Sequence, residues 1–364
     1  MHQKLLPILA IILIVTLLAV SHAIPAAADY PSTATESALR LQGARIYFSE
    51  SSGESSRFDR SEEGLSRFAG LLQRQGAELF TLEWRNGIPA NADLVIIAGP
   101  ADALNAEQTA RLWVYLVSNG GRVMILTDPP IDRNRAFREN EGLFELTWPD
   151  MGVRGVDDVV VTEGELRTIT PEPEEPEEGE EVVQPEPFEA PILITDFVTP
   201  VSNPNHGITQ GIEGEFAFFT ARPLQVDASI QLFEVVPLIF TEEIFYGEGD
   251  YRRYQESGEV EYLEDEDTAR GSLPLAAIAT HPTGARLVLI GDREFATNAG
   301  GFQTSPPNSP SFMYTGNVEF MVNAVSWLLD SESPDLTFPT PAPTSTPLAT
   351  PEGEPAVDDA AADS

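Results

Sequence analysis

Short apolar runs with the period of β-strands recur through the first third of the chain, and helix-like patterns separate some of them. The runs at 92–98 and 122–127 are almost continuously apolar, as expected for strands that are buried on both faces of a sheet. The pattern therefore predicts, in chain order, strand 44–49, a helix around 65–72, strands 77–84 and 92–98, a helix that begins near 105, and strand 122–127.

Start and stop signals mark the second of these helices. Asn105 is suited to cap its N-terminus, and Gln108 three positions later completes a capping box. Gly120 and Gly121 end it. Because helices alternate with apolar strands along this part of the chain, we predict an α/β fold of flavodoxin-like type, with a three-layer, mostly parallel sheet.

The second half of the chain returns to strands after an interruption that is rich in glutamate and proline. Such a composition cannot bury enough apolar surface to order itself. Further strands are predicted at 192–197, 216–220, 230–240, 273–280 and 285–291, followed by an amphipathic helix at 317–329. The predicted organisation is a polar stalk at 25–42, the first part of the α/β domain at 43–162, an acidic disordered insert at 163–190, the second part of the domain at 191–330, and a disordered Pro/Thr-rich acidic tail at 331–364.

The N-terminus has the pattern of an export signal. Lys4 precedes an uninterrupted apolar run at 5–20, and Ser21 and Ala23 fit the small-residue positions of a cleavage site. The run is long for a signal peptide and short for a membrane span of about 20 residues. A cleaved signal and a retained membrane anchor therefore both stay open for 1–24. We expect the protein at the extracytoplasmic face of the cell membrane, or secreted if the segment is cleaved.

Composition narrows the classes of function. A net charge of −37 argues against a nucleic-acid partner, because binding phosphates requires a basic face. The chain has no cysteine, which excludes disulfides, thiolate metal sites and cysteine nucleophiles. Of its four histidines, His2 and His22 lie in the N-terminal segment, which leaves only His206 and His281. We therefore predict no metal centre and no cofactor.

Polar residues follow the predicted strands where they end, as Asp102, Asp128 and Asp292 do. Ligands of open α/β sheets bind beyond the carboxyl ends of the strands, so Asp128 and Asp292 are candidates for a common crevice. Carboxylate and amide oxygens there suit a polar ligand or a hard cation. The alternative is that these aspartates only fix turns. The candidate binding residues are Asp128, Asp292, Asn298 and His206.

No pattern for catalysis is present. A hydrolase needs a nucleophile beside a base, but the sequence has no Gly-x-Ser-x-Gly elbow and places no serine beside His206 or His281. Gly120 and Gly121 precede a strand rather than a helix, so they do not offer a helix N-terminus to a phosphate group. The sequence predicts a non-catalytic protein.

Four segments, taken in order, resemble the auxiliary component of ABC transport systems linked to gliding motility. The resemblance covers roughly 44–130 and 191–330. It implies a class I glutamine-amidotransferase-like domain without catalytic residues, and a role beside an ABC permease and ATPase. This chain departs from many relatives in ending on a polar tail instead of a membrane span. The segments that carry the resemblance are Asp93-Leu-Val-Ile-Ile-Ala-Gly-Pro100 with 104–108, Tyr115-Leu-Val-Ser-Asn-Gly-Gly-Arg-Val-Met-Ile-Leu-Thr-Asp-Pro129, Asn205-His-Gly-Ile-Thr-Gln-Gly-Ile212, and 286–298 with Asn323-Ala-Val-Ser-Trp-Leu328.

Three functions remain open at this point. The first is a binding or scaffolding accessory of an ABC transport system, with the permease and ATPase as partners and the membrane reached through the N-terminal segment. The second is an envelope protein that binds a sugar or a cation in the crevice of Asp128 and Asp292. The third is a cryptic hydrolase.

Overall fold

The computed structural model describes residues 41–330 of the chain apart from 132–136, 171–185, 231–232, 261 and 265. In chain order the strands are β1 (Arg45–Ser49), β2 (Glu78–Leu82), β3 (Leu94–Ala98), β4 (Arg122–Leu126), β5 (Val153–Gly155), β6 (Val159–Ile169), β7 (Phe188–Ile194), β8 (Asp196–Thr199), β9 (Phe216–Phe219), β10 (Leu224–Val226), β11 (Glu234–Phe240), β12 (Tyr246–Glu248), β13 (Pro274–Thr280) and β14 (Arg286–Ile290). The helices are α1 (Ser66–Arg74), α2 (Ala106–Trp113), α3 (Gly142–Met151), α4 (Tyr251–Ser257) and α5 (Thr315–Leu328).

The central sheet contains seven strands in the order β11-β13-β14-β4-β3-β1-β2. Strands β2, β1, β3, β4 and β14 run parallel, whereas β13 is antiparallel to both β14 and β11. Only residues 281–285 join β13 to β14, and a link of that length is too short for the crossover of a parallel pair. The prediction of an α/β fold with a large, mostly parallel sheet is confirmed.

Helices cover both faces of this sheet. In β3, Ile96 packs in the cluster that includes α1 and α5, while its neighbour Ile97 packs with α2 and α3. Successive side chains of a strand point to opposite faces, so each central strand needs apolar residues at every position. That requirement explains the continuous apolar runs and gives the three predicted layers.

The predicted start of α2 is confirmed in detail. The Asn105 side chain accepts from the Gln108 backbone N–H at 3.0 Å, and the Gln108 side chain accepts from the Asn105 backbone N–H at 2.8 Å. Two of the N–H groups that a helix start leaves without partners are thereby satisfied.

The bounds of the acidic insert at 163–190 were wrong at both ends. Residues 163–169 continue β6 and residues 188–190 begin β7, and the two strands pair as an antiparallel hairpin with a bulge between Glu163 and Leu166. Backbone pairing with β7 offsets the poor strand propensity of these glutamates, which a composition count does not register. The middle of the predicted insert, 171–185, lies outside the described residues.

The acidic stretch after β11 also contains regular structure. Strand β12 pairs with β6, and helix α4 follows it. Tyr246 and Tyr254 are buried in a small apolar cluster with Val159, Val161 and Leu193. Three small sheets, β12-β6-β7, β10-β5 and β8-β9, accompany the central one.

The terminal predictions lie outside the described residues. These are the export segment 1–24, all of the stalk 25–42 but its last two residues, and the tail 331–364. Within the described ranges, no helix has both the length and the apolar character required to cross a membrane.

Candidate functional site

A cleft of ≈ 610 Å³ opens at the carboxyl ends of β1, β2 and β3. The chain passes from β2 on one side of β1 to β3 on its other side, so the strand order reverses between β1 and β3. Open α/β sheets bind ligands at such a reversal. The residues that line the cleft are Glu50, Ser51, Ser52, Thr81, Leu82, Glu83, Trp84, Arg85, Asp102, Ala103, Asn105 and Gln108.

The wall of this cleft is held by Glu54, which is buried behind the loop after β1. Its two carboxylate oxygens accept from Ser49 Oγ and from the Ser52 backbone N–H, both at 2.5 Å. Trp84 Nε1 in turn donates to Ser49 Oγ at 2.9 Å. These buried groups position the loop. At the rim, Glu50 accepts from Thr81 Oγ1 at 3.0 Å, and Asn105 and Gln108 form the capping box of α2.

Asp128 and Asp292 follow the neighbouring parallel strands β4 and β14, and the structure brings them close to each other. Asp128 Oδ1 accepts from the Arg293 backbone N–H at 2.7 Å, and Arg293 Nε lies 3.2 Å from Asp128 Oδ2. Burial raises the pKa of Asp128, and the Arg293 guanidinium opposes that rise. Only a quarter of the Asp128 side chain is exposed (26%).

Asp292 is completely buried and fixes two loops. One carboxylate oxygen accepts from the Phe219 backbone N–H at 2.8 Å, and the other accepts from the Glu294 backbone N–H at 2.6 Å. Burial raises the pKa of Asp292 well above its ordinary value, and the negative charge of Asp128 adds to the rise. Both oxygens are engaged by the fold, so the turn-fixing alternative describes this aspartate better than an open crevice does.

Asn298 caps the N-terminus of α1, although it is far from that helix in the sequence. Its Oδ1 accepts from the Arg67 backbone N–H at 3.1 Å, in the position of a helix cap that Leu65 itself cannot supply. Its Nδ2 donates to the Asp59 and Ser61 carbonyl oxygens at 3.1 and 2.7 Å. The amide group of Asn298 therefore already forms hydrogen bonds that join the loop after β14 to the start of α1.

His206 lies away from these residues. Its Nδ1 accepts from the Ile208 backbone N–H at 3.2 Å, and its ring packs edge-on against Trp327. Trp327 contacts Arg286 at the amino end of β14, whereas Asp292 follows the carboxyl end of the same strand. His206 therefore lies near the amino end of β14, whereas the two aspartates follow the carboxyl ends of β4 and β14. Burial lowers the pKa of His206, which favours the neutral ring.

Arg222 lies among the loops at the carboxyl ends of β4 and β14. The sequence analysis did not identify it as an important residue. It is 1% exposed, and its Nη1 donates to the carbonyl oxygen of Phe137 at 2.7 Å. Nε donates to the Val156 carbonyl oxygen at 2.7 Å, and Nη2 contacts Asp157 at 2.8 Å. Burial lowers the pKa of Arg222 to about 10, which leaves it charged at neutral pH.

Two glycines in the loops around the sheet leave space for Arg222. A side chain on Gly291 would meet the Arg222 carbonyl oxygen at 2.1 Å, and one on Gly155 would meet its guanidinium at 2.6 Å. The sequence around it, Ala221-Arg222-Pro223, has no feature that separates a buried arginine from an exposed one. Its partners come from distant parts of the chain, so no local pattern could have found it.

Comparison with known proteins identifies a family. The family model described as "ABC-type uncharacterized transport system" matches residues 44–324. No curated protein matches the chain. Among solved structures, the chain is similar to the mmIFT52 N-terminal domain, with 13% identity, a TM-score of 0.47, and 78% of this chain and 96% of that one covered. It is also similar to the exo-beta-1,4-mannosidase Op5Man5 from Opitutaceae bacterium strain TAV5, with 11% identity, a TM-score of 0.33, and coverage of 78% and 35%.

Proposed function

The chain belongs to the family of the ABC-type uncharacterized transport system, as an auxiliary component, and from this premise we propose that it is a non-catalytic, extracytoplasmic component that binds another protein of that system. One observation supports the binding role above the others. It is a stripe of exposed aliphatic side chains on the small sheets beside the central one.

This aliphatic stripe consists of Ile192, Ile194, Val198 and Ile244, whose exposures are 41%, 40%, 41% and 54%. Exposed residues alternate with more buried ones along 192–199, so Ile192 and Ile194 share one face of β7, and Val198 is exposed on β8, which follows directly. Ile244 adjoins them, because its carbonyl oxygen accepts from Thr162 Oγ1 and Thr162 pairs directly with Ile194. Contiguous exposed aliphatic side chains are typical of protein contact sites.

The charges beside the stripe indicate the kind of partner. One of them is basic, since Arg270 Nη1 donates to the Ile244 carbonyl oxygen, but its guanidinium is paired with Glu163. Asp196 lies between Ile194 and Val198, and Glu242 and Glu243 precede Ile244; all three acidic side chains are exposed. A second copy of this chain would bring acidic flanks against acidic flanks, which is unfavourable. A partner with an apolar contact surface flanked by lysine or arginine fits better, and we assign that surface to another protein of the transport system.

The histidine contacts support a non-catalytic role. His281 Nδ1 lies 2.7 Å from Thr283 Oγ1, but that hydroxyl also contacts the Val117 carbonyl oxygen at 3.1 Å in an exposed turn. His206 is engaged with a backbone N–H group. Neither arrangement provides a serine whose proton a histidine could accept, as acyl transfer requires.

The same proposal includes a more specific fold type for the domain and a location for the protein in the cell. The strand order β2-β1-β3-β4 supports a flavodoxin-like sheet, and the absence of cysteine fits a glutamine-amidotransferase-like domain without its nucleophile. The apolar run at 5–20 supports export to the extracytoplasmic face, as an anchor or as a cleaved signal. The resemblance to the gliding-motility component supports the permease and ATPase as partners.

Site-specific cross-linking tests the stripe. With a photoreactive amino acid in place of Ile194 in the membrane-bound full chain, we expect a covalent adduct to a subunit of the transport system, because the side chain would be buried in the contact. The matched control carries the same amino acid at Met313, which is 48% exposed and remote from 192–199 in sequence. Equal adduct yields at both positions, or adducts only to this chain itself, would remove the stripe from the proposal.

The cleft at the β1 and β3 ends favours a second candidate, an envelope protein that binds a polar small molecule. Its volume lies within the range of small-molecule sites. A sugar that protects the chain from thermal unfolding, with the protection lost on changing Asp102 at the rim, would favour this candidate over a purely protein-binding role. Asp128 and Asp292 suit such a ligand less well than this cleft does, because both oxygens of Asp292 already accept backbone hydrogen bonds.

A further inference from the structure

Thr220 has a backbone conformation that β-branched residues rarely adopt. Its φ angle is +54°, in the left-handed region, where Cβ comes too close to the following carbonyl oxygen. Conformations of this kind persist only where surrounding contacts impose them, and they are concentrated at binding sites and switches. Thr220 directly follows β9, which pairs with β8 beside the aliphatic stripe. We propose that Thr220 is a strained hinge of the stripe, which relaxes when the partner protein docks there.

Hydrogen bonds to the main chain of 219–222 impose this conformation. A segment that is fixed at each of four successive residues cannot rotate away from an unfavourable angle, so the surrounding loops maintain the strain at Thr220. The four bonds join Phe219 N–H to Asp292 Oδ2 at 2.8 Å, Thr220 N–H to the Thr195 carbonyl oxygen at 3.1 Å, the Val160 N–H to the Ala221 carbonyl oxygen at 2.8 Å, and Arg222 N–H to the Gly291 carbonyl oxygen at 2.7 Å.

Thr220 lies between the stripe and the central sheet. On one side of it the chain belongs to the antiparallel pair β8–β9, which bears Val198 of the stripe. On the other side Arg222 is buried and bonded among the loops of the central sheet. The Thr195 carbonyl oxygen, which accepts from Thr220, belongs to the residue directly after Ile194 of the stripe. Thr220 is therefore the point where the chain beside the stripe joins the central sheet.

Aromatic rings connect the stripe to β9. Phe197 precedes Val198 in the chain, Phe245 follows Ile244, and the centroids of the two rings lie 4.4 Å apart. The Phe197 ring also stacks on Phe218 of β9, with 5.7 Å between the centroids. Close-packed interiors have low compressibility and transmit displacements. A partner that displaces the side chains of the stripe therefore displaces β9, which ends directly before the hinge.

Relaxation of Thr220 strengthens the binding of the partner. A ligand shifts a conformational equilibrium only if it binds one conformation more tightly than the other. Displacement of β9 opens the hydrogen bond between Thr220 N–H and the Thr195 carbonyl oxygen, which is the longest of the four. Thr220 then leaves the left-handed region, and the strain that it loses adds to the affinity. This step rests on the proposed role of the stripe as a protein-binding surface.

The test compares Thr220→Gly with the unmodified chain. Glycine adopts positive φ angles without steric cost, so the variant keeps the bend and loses the strain. We therefore expect its melting temperature to rise. Because the variant has no strain to release on docking, it should bind the partner about tenfold less tightly, which corresponds to about 1.4 kcal/mol.

Binding is measured on the tagged full chain captured from solubilised membranes. The half-time with which the ABC permease and ATPase are lost while the affinity resin is washed reports their dissociation. We expect this half-time to be about tenfold shorter for Thr220→Gly, because affinity differences among variants of one interface lie mostly in the dissociation rate.

Asn308→Gly is the matched control. Asn308 also has a positive φ angle, +63°, but it lies in the loop before α5, and asparagine adopts the left-handed region more readily than threonine does. Its substitution should leave the half-time unchanged.

The outcomes separate the hinge from the proposed function. A higher melting temperature for Thr220→Gly with an unchanged half-time would mean that the strain is only structural, which overturns the hinge but not the protein-binding role. A lower melting temperature would show that Thr220 is not strained, and it would overturn the hinge as well. If the unmodified chain retains neither the permease nor the ATPase, both proposals are wrong.

Discussion

Replacing Arg222 with alanine is expected to lower the free energy of unfolding by about 3–5 kcal/mol, the range for removing one partner of a buried ion pair. The substitution leaves Asp157 without one of its cations and strips hydrogen bonds from the carbonyl oxygens of Val156 and Phe137. It also opens a cavity between Gly155 and Gly291. Urea denaturation monitored by tryptophan fluorescence measures the loss.

Two further substitutions show whether the stability depends on the charge of Arg222 or on its set of hydrogen bonds. Arg222→Lys keeps the charge but has three donors on one nitrogen, so it cannot reach all of the acceptors and should recover only part of the stability. Arg85→Ala removes an arginine whose side chain is 81% exposed and should cost less than about 0.5 kcal/mol. A loss below 1 kcal/mol for Arg222→Ala would mean that the guanidinium does not join the loops as described.

Asn298→Ala is expected to cost about 3 kcal/mol. The cap of α1 contributes about 1 kcal/mol, and the carbonyl oxygens of Asp59 and Ser61 lose their donors in a mostly buried position, at about 1 kcal/mol or more each. The same unfolding measurement applies. The matched control is Asn105→Ala, which removes an exposed cap with a single side-chain acceptor and should cost only about 1 kcal/mol.

The comparison decides the role of Asn298. A structural role predicts that its substitution costs clearly more stability than that of Asn105. If the two substitutions cost the same, the Asn298 side chain is free enough to serve a ligand, and its place among the candidate binding residues would be restored.

Local signals predicted much of the central sheet. The capping box of Asn105 and Gln108 depends only on residues within one helical turn, and it forms as predicted. The buried strands β3 and β4 were recognisable because burial on both faces demands continuous apolar residues. Helix α3 was missed, since Pro149 lies inside it and its apolar residues do not show a clear helical period.

The site was only partly predictable, because its contacts join distant parts of the chain. The proximity of Asp128 and Asp292 followed from two parallel strand ends. That Asp292 would accept from Phe219 could not be read from its neighbours in sequence. The same holds for Arg222, whose partner Asp157 lies 65 positions away in the sequence.

We propose above all that this chain, which belongs to the family of an ABC-type transport system, works outside the cytoplasm. Affinity purification of the tagged full chain from solubilised membranes of its own cells, with mass spectrometry of the co-purifying proteins, tests it most directly. We predict that an ABC permease and its ATPase are recovered in amounts comparable to the chain, and that less is recovered after Ile194→Lys than after Met313→Lys. Recovery of the chain from the cytosol with Met1 in place, without any transporter subunit, would contradict the claim.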